Sequence, residues 1–252
     1  MSNPEPILAF DLYNTLVDTT SVENPVEAQI KHAHHYIHHS TVEEIVQHWR
    51  ILQLEYTWRL NSMEQYIPFD EVCTKALCHA LGRKGINDET DEELKEMEAA
   101  YNCLKTFPEV RGFFNSLSKT KVDSYIFSNG TVDMIAHLIE VNPGLHPAFL
   151  TPEQDKLVSV DQRVRKYKPH PDTYKDFIQY VGRQGSESSV ILVSSNSFDI
   201  VGARNSGWTT IWVDRKQTGW VDRLASKPHY CVHDVGEVLW ILEEIKKKGG
   251  KK

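Results

Sequence analysis

An excess of basic charge, a long apolar run and paired cysteines are all missing from this chain. Its 28 Lys and Arg are outnumbered by 35 Asp and Glu, giving a net charge of −7, so nothing calls for nucleic acid or an anionic membrane as partner. No apolar run approaches the ~20 residues that cross a bilayer. The opening MSNPEP has no basic segment followed by an apolar one, so no signal peptide is expected. Cys73, Cys78, Cys103 and Cys231 show no CxxC spacing, so neither a zinc site nor a redox pair is indicated, and free thiols in a reducing cytosol are the simplest expectation. A further absence is local. The apolar run Ile7, Leu8, Ala9 leads into FDLYNTL, where the acid Asp11 is followed two residues later by Tyr13 and not by a second acid.

What is present has the outline of an α/β protein. Ile7 to Phe10 is short, unalternated and followed by a polar turn, as in a strand of a parallel sheet covered on both faces. A helical region then runs from about Pro25 to Leu104, with Thr41 and Glu44 expected to form a capping box ahead of IVQHWRILQLEYTWRL. From Phe107 helix and strand alternate through VRGFFNSLSK, SYIFSNG, TVDMIAHLIEV, PDTYKDFIQYVGR, SVILVSSN and TTIWVDR, which predicts βαβ units in a parallel sheet. The 252 residues allow one such core and a smaller insertion. The expectation is a Rossmann-like core over 1–20 and 106–245, a helical cap inserted over 21–105, and a frayed basic tail, KKKGGKK, over 246–252.

Polar residues gather where the strands end. Ligands of parallel sheets bind beyond the carboxyl ends of the strands, where Asp11, Ser128, Asn129, Ser194, Asn196 and Asp199 would converge, with Lys168 arriving from its own loop. Ser194 and Asn196, two apart, face the same side of an extended segment. Asn196 and Asp199, three apart, come together if the following turn is helical. A lysine beside aspartates favours their ionised forms, and an ionised, positioned carboxylate is a usable nucleophile.

FDLYNTL, WRILQLEYTW, FSNG, YKPHPDTY and VSSNSFD, in that order, resemble the L-2-haloacid dehalogenases, a branch of the haloacid dehalogenase superfamily, from Ile7 to about Arg215 and including the cap. The resemblance implies a metal-independent hydrolase with no cofactor, acting on a short 2-haloacid. Asp11 matches the nucleophile that attacks C2, expels halide and forms an ester. The amides of Leu12 and Tyr13 and the hydroxyl of Ser128 match the groups that hold the substrate carboxylate. Arg50 and Asn129 match the residues receiving the halide, with Phe198 at the aromatic position beside them. Lys168 matches the lysine beside the nucleophile, and Tyr174 a tyrosine of the same network. Ser194, Asn196 and Asp199 match the group that positions and activates the hydrolytic water, and Leu54 and Phe69 match apolar walls from the cap. The chain departs from the pattern at Asn14, where the family usually has glycine, and at Ile51, where related enzymes often carry glutamine.

Other readings stand beside this one. A phosphatase of the same superfamily typically carries a second acid where Tyr13 stands, as general acid, and further magnesium-ligating acids near Asn196. A non-catalytic protein that kept the fold would have been signalled by loss of Asp11, Lys168 or Asp199. Arg50 could pair with Glu43, Glu44 or Glu55 on its own helix. In KHAHHYIHHS, His34 with His38 and His35 with His39 have chelating i, i+4 spacing, but no HExxH arrangement accompanies them, and solvated histidines are expected. The aromatic-rich WRILQLEYTWRL offers a possible homodimer face.

Overall fold

The computed structural model describes residues 4–33, 36–145, 149, 156–224 and 226–249. The chain divides into two compact units, Met1–Val17 with Thr106–Lys252, and Asp18–Lys105. The first is built on a six-stranded sheet of order β5-β4-β1-β6-β7-β8, made of β1 (Ile7–Phe10), β4 (Asp123–Ser128), β5 (Leu157–Ser159), β6 (Val190–Ser194), β7 (Thr209–Val213) and β8 (Tyr230–Val232). Every described pairing in it is parallel. Two-residue strands β2 (Val17–Asp18) and β3 (Lys105–Thr106) pair separately. The apolar run at Ile7 is therefore the strand expected of it, flanked on both sides and buried at all four positions.

Both faces of the sheet are covered, as an unalternated strand requires. Phe10 is in register with Ile126, so Phe127 points to the opposite face. Phe10 meets Phe113, Phe114 and Phe149 edge to face. Phe127 meets Tyr174, Phe177 and Trp208. Each such ring contributes roughly 1.5–3 kcal/mol by leaving water. The helices α5 (Val110–Leu117), α6 (Val132–Val141), α7 (Val160–Arg163), α8 (Pro171–Tyr180), α9 (Ser197–Asn205) and α10 (Val238–Gly249) complete the unit.

The second unit holds α1 (Glu23–Ala33), α2 (His39–Ser62), α3 (Phe69–Gly82) and α4 (Asp91–Tyr101). Helix α2 packs on α3 and α1 on α4, burying Val42, Ile45, Trp49, Leu52, Val72 and Leu77. Among the described residues no helix is long and apolar enough to cross a membrane.

Two local expectations are corrected. Thr41 and Glu44 do not cap α2: His38 holds the extended N-cap backbone and already accepts from the Thr41 amide at 2.9 Å, while Glu44 pairs with Lys84. A capping box does form at α4, between Thr90 and Glu93. The basic tail is helical through Gly249, because lysines are good helix formers and Lys247 pairs with Glu243 one turn back at 3.9 Å. Tyr167–Pro169 lies in the loop between α7 and α8, where Lys168 was expected.

Candidate active site

Parallel pairing puts the carboxyl ends of β4, β1 and β6 on one rim, and Asp11 extends β1 by one rung, its amide donating to Val193 O at 3.1 Å. The side chain is buried, and its two oxygens are held differently. Oδ2 accepts from Asn196 Nδ2 at 2.6 Å, Thr15 Oγ1 at 2.8 Å and Ser194 Oγ at 3.4 Å. Oδ1 accepts from Lys168 Nζ at 3.0 Å. Asn196 stands at the N-cap of α9 but makes no side-chain capping bond there. Its amide goes to Asp11 and to Tyr13 O at 3.0 Å instead.

Lys168 is buried and also donates to Asp199 Oδ2 at 2.7 Å and to Phe127 O at 2.8 Å. Burial alone would lower its pKa, but Asp11 and Asp199 outweigh burial and hold it above the ordinary lysine value. Asp199, in the first turn of α9 and fully buried, is pushed up to about 6 by burial, with Lys168 opposing and Asp11 adding to the rise. Tyr174 donates its hydroxyl to Asp199 Oδ1 at 2.7 Å, and burial, then the charge on Asp199, raise its own pKa well above the ordinary value. Gly202 makes room for that tyrosine, since a Cβ there would lie 2.6 Å from ring carbons Cε2 and Cζ.

Other expected residues occupy the same unit with different contacts. Ser128 ends β4 and accepts the Gly130 amide at 3.1 Å. Asn129 Oδ1 accepts the Lys168 amide at 2.9 Å, which ties the lysine loop to the end of β4. Leu12 and Tyr13 are buried directly after the nucleophile candidate, and Phe198 is half-buried in α9. Asn14 takes φ 64°, the left-handed conformation that asparagine tolerates and glycine usually supplies. Sequence reasoning missed Thr15, four residues after Asp11, which donates to Asp11 Oδ2 and accepts the Ser195 amide; its place within FDLYNTL was the signal. It also missed Arg215, which clamps Ser195 Oγ at 3.0 Å, Thr15 O at 2.8 Å and Glu109 at 2.6 Å.

In the helical unit, Arg50 and Leu54 lie on α2 and are half-buried, and Phe69 opens α3, fully buried. The acids that could have claimed Arg50 are engaged with others: Glu44 with Lys84, Glu55 with Arg59 at 3.3 Å, Glu43 with His39 at 3.6 Å. Arg50 Nη1 instead donates to Gln53 Oε1 at 3.3 Å. Of the histidine-rich stretch, His34 and His35 lie outside the described residues. His39 pairs with Glu27 at 2.6 Å, which raises the pKa of the histidine, while Lys31 first and His39 second lower that of the glutamate. Glu23, His39 and Glu43 bring ligand-type atoms within 4.8 Å of one another on an exposed to half-exposed surface.

Comparison with known proteins follows the same lines. A profile of haloacid dehalogenase-like hydrolases matches residues 6–207. The chain is 33% identical over 235 residues to haloacetate dehalogenase H-2 of Moraxella sp. (strain B), covering 93% of this chain and 96% of that one. It is 37% identical over 209 residues to an (S)-2-haloacid dehalogenase of Xanthobacter autotrophicus, covering 82% and 74%. The structure of an L-2-haloacid dehalogenase from Xanthobacter autotrophicus superposes with a TM-score of 0.79 at 30% identity, covering 95% of this chain and 99% of that one. A structure of that enzyme with chloropropionic acid covalently bound gives the same TM-score, 0.79, at 29% identity and the same coverage, 95% and 99%. A buried carboxylate at the end of the central strand, a lysine shared with a second aspartate, and this extent of similarity lead to one assignment: the chain belongs to the haloacid dehalogenase-like hydrolases.

Proposed function

We propose that this protein hydrolyses short L-2-haloacids to 2-hydroxy acids and halide through an ester on Asp11, without a metal ion. The observation that carries the reading is the unequal holding of the Asp11 carboxylate. Oδ2 is pinned by Thr15, Asn196 and Ser194 while Oδ1 meets the Lys168 ammonium, so Oδ1 is the oxygen that attacks. It forms a bond to C2 as the carbon–halogen bond breaks, and the halide leaves with the bonding pair. Arg50 and Asn129 receive that charge, and backbone amides at Leu12 and Tyr13 with Ser128 hold the substrate carboxylate. Leu54, Phe69 and Phe198 keep water from the reacting centre. In the second step Asp199, aided by Ser194 and Asn196, takes a proton from water, which attacks the ester carbonyl. The bond from the acyl carbon to the substrate-derived oxygen breaks, that oxygen takes back the proton held by Asp199, and the hydroxy acid leaves with the Asp11 carboxylate restored.

The relatives carry dehalogenase names, and Tyr13 stands where phosphoryl chemistry calls for an acid. Free thiols fit a cytosolic setting. The same reading extends to a homodimer through α2, whose Ile51 and Trp58 are 55% and 40% exposed, and sedimentation of the purified chain tests it.

Heavy-oxygen water tests the covalent step. With enzyme in excess over haloacid, one turnover gives unlabelled hydroxy acid, inverted at C2, and labelled Asp11. Label in the hydroxy acid after that single turnover, with none in Asp11, would mean direct attack by water and a general-base role for Asp11. A phosphate ester assayed with magnesium alongside separates the phosphatase alternative.

A further inference from the structure

The helical unit contains a buried polar group that packing does not call for. Gln53 is fully buried on α2, and its amide is fixed in one orientation. Nε2 donates to Cys73 Sγ at 3.3 Å, and Oε1 accepts from Tyr101 Oη at 2.9 Å and from Arg50 Nη1 at 3.3 Å. Reversing the amide would point its NH2 group at the two donors. Tyr101 is itself buried, its ring 4.9 Å from that of Trp49, and Trp49 Nε1 donates to Cys73 O at 2.8 Å. Burial raises the pKa of the Tyr101 hydroxyl, and the nearby Arg50 charge opposes that rise.

Buried polar networks stabilise only when every member is satisfied, and an apolar core at these positions would carry no such demand. Leucine at position 53 and phenylalanine at 101 would serve the packing of α2, α3 and α4. The one charged member of the network is Arg50. A guanidinium presents its donors in a rigid planar fork, so its bond to Gln53, whose acceptor oxygen Tyr101 also holds, restrains the direction of the remaining donors.

We propose that Gln53 and Tyr101 are positioning residues for Arg50, holding its guanidinium in one orientation for receiving the halide; this rests on the role proposed for Arg50 above. The chemistry predicts a leaving-group signature. A cation placed beforehand where charge develops lowers the barrier, and it matters more for chloride, the poorer leaving group, than for bromide.

The test uses the full chain with L-2-chloropropionate and L-2-bromopropionate, following halide release in a single turnover. Tyr101→Phe removes only the hydroxyl, and Gln53→Met removes the amide at similar volume. Each variant should lower the chloride rate by about 10- to 100-fold, the scale of a misplaced catalytic group, and the bromide rate distinctly less. In an Arg50→Ala background Tyr101→Phe should add no further loss. Equal losses on both substrates, or an undiminished loss in the Arg50→Ala background, would assign the pair to the core alone and overturn the proposal. Should Tyr101→Phe fail to fold, Gln53→Met decides. Wild-type rates in Arg50→Ala itself would remove the role of Arg50, a different failure from wild-type rates in the two positioning variants alone.

Discussion

Lys168 Nζ lies 2.7 Å from Asp199 Oδ2 with both side chains buried, and the same ammonium reaches Asp11 at 3.0 Å. One cation thus holds two carboxylates together. Lys168→Met leaves both acids facing each other without compensation, and breaking such a buried pair costs about 3–5 kcal/mol. Urea unfolding should show that loss at neutral pH, together with loss of halide release. A midpoint equal to wild type would mean that the two acids do not depend on the lysine.

Asp199 makes activity and stability respond to acid in opposite directions. Its folded pKa of about 6 lies above the ordinary value of 3.8, so the folded state binds its proton more tightly. That contribution to stability is complete below 3.8 and is lost as pH rises through about 6. The proposed base, in contrast, works only when ionised, so kcat should fall as pH drops through about 6. Tyr174→Phe removes a donor that favours the ionised form, and should move this acid limb to higher pH. A pH–kcat profile unchanged by the substitution would separate Tyr174 from the titrating group.

Gly202→Ala should act at a distance from the reacting atoms. The added methyl would lie 2.6 Å from ring carbons of Tyr174, a side chain with no exposed surface to retreat into. Overpacking of this kind costs typically about 1–3 kcal/mol. The ring must shift, lengthening its bond to Asp199, so the acid limb should move in the same sense as for Tyr174→Phe. Calorimetry and the pH profile together check it.

Metal independence is the fourth expectation. The positive charge between Asp11 and Asp199 is the Lys168 ammonium, and Asn196 offers an amide where a ligating acid would serve magnesium. Halide release should persist in excess chelator, and added magnesium should not raise it. Loss on chelation with recovery on magnesium would transfer the chain to the phosphatase-like chemistry.

Legibility in the sequence followed the range of the interactions. Strands β1 and β6 were evident because a strand covered on both faces must be apolar at every position, and Ile7–Phe10 and Val190–Val193 are. Asn196 and Asp199 were placed by the expected end of β6, by their spacing and by the VSSNSFD motif. Strand β5, Leu157–Ser159, and strand β8, Tyr230–Val232, escaped notice, since three residues carry no period and only a neighbouring strand makes them extended. Gln53 looks in sequence like a solvated helix position, and only the packing of α2 against α3, with Tyr101 of α4 beside it, buries it. The misplaced cap of α2 has the same origin: Thr41 and Glu44 have the right spacing, but the backbone enters the helix at His39.

The order β5-β4-β1-β6-β7-β8 also decides how thermal opening reaches the nucleophile. Fraying starts at edges, and β1 is separated from one edge by two strands and from the other by three. Deuterium should therefore replace the amide protons of Leu8 to Asp11 among the last in the molecule, while those of β8 exchange early. Breathing at the margins of the sheet leaves the Asp11 carboxylate where it is.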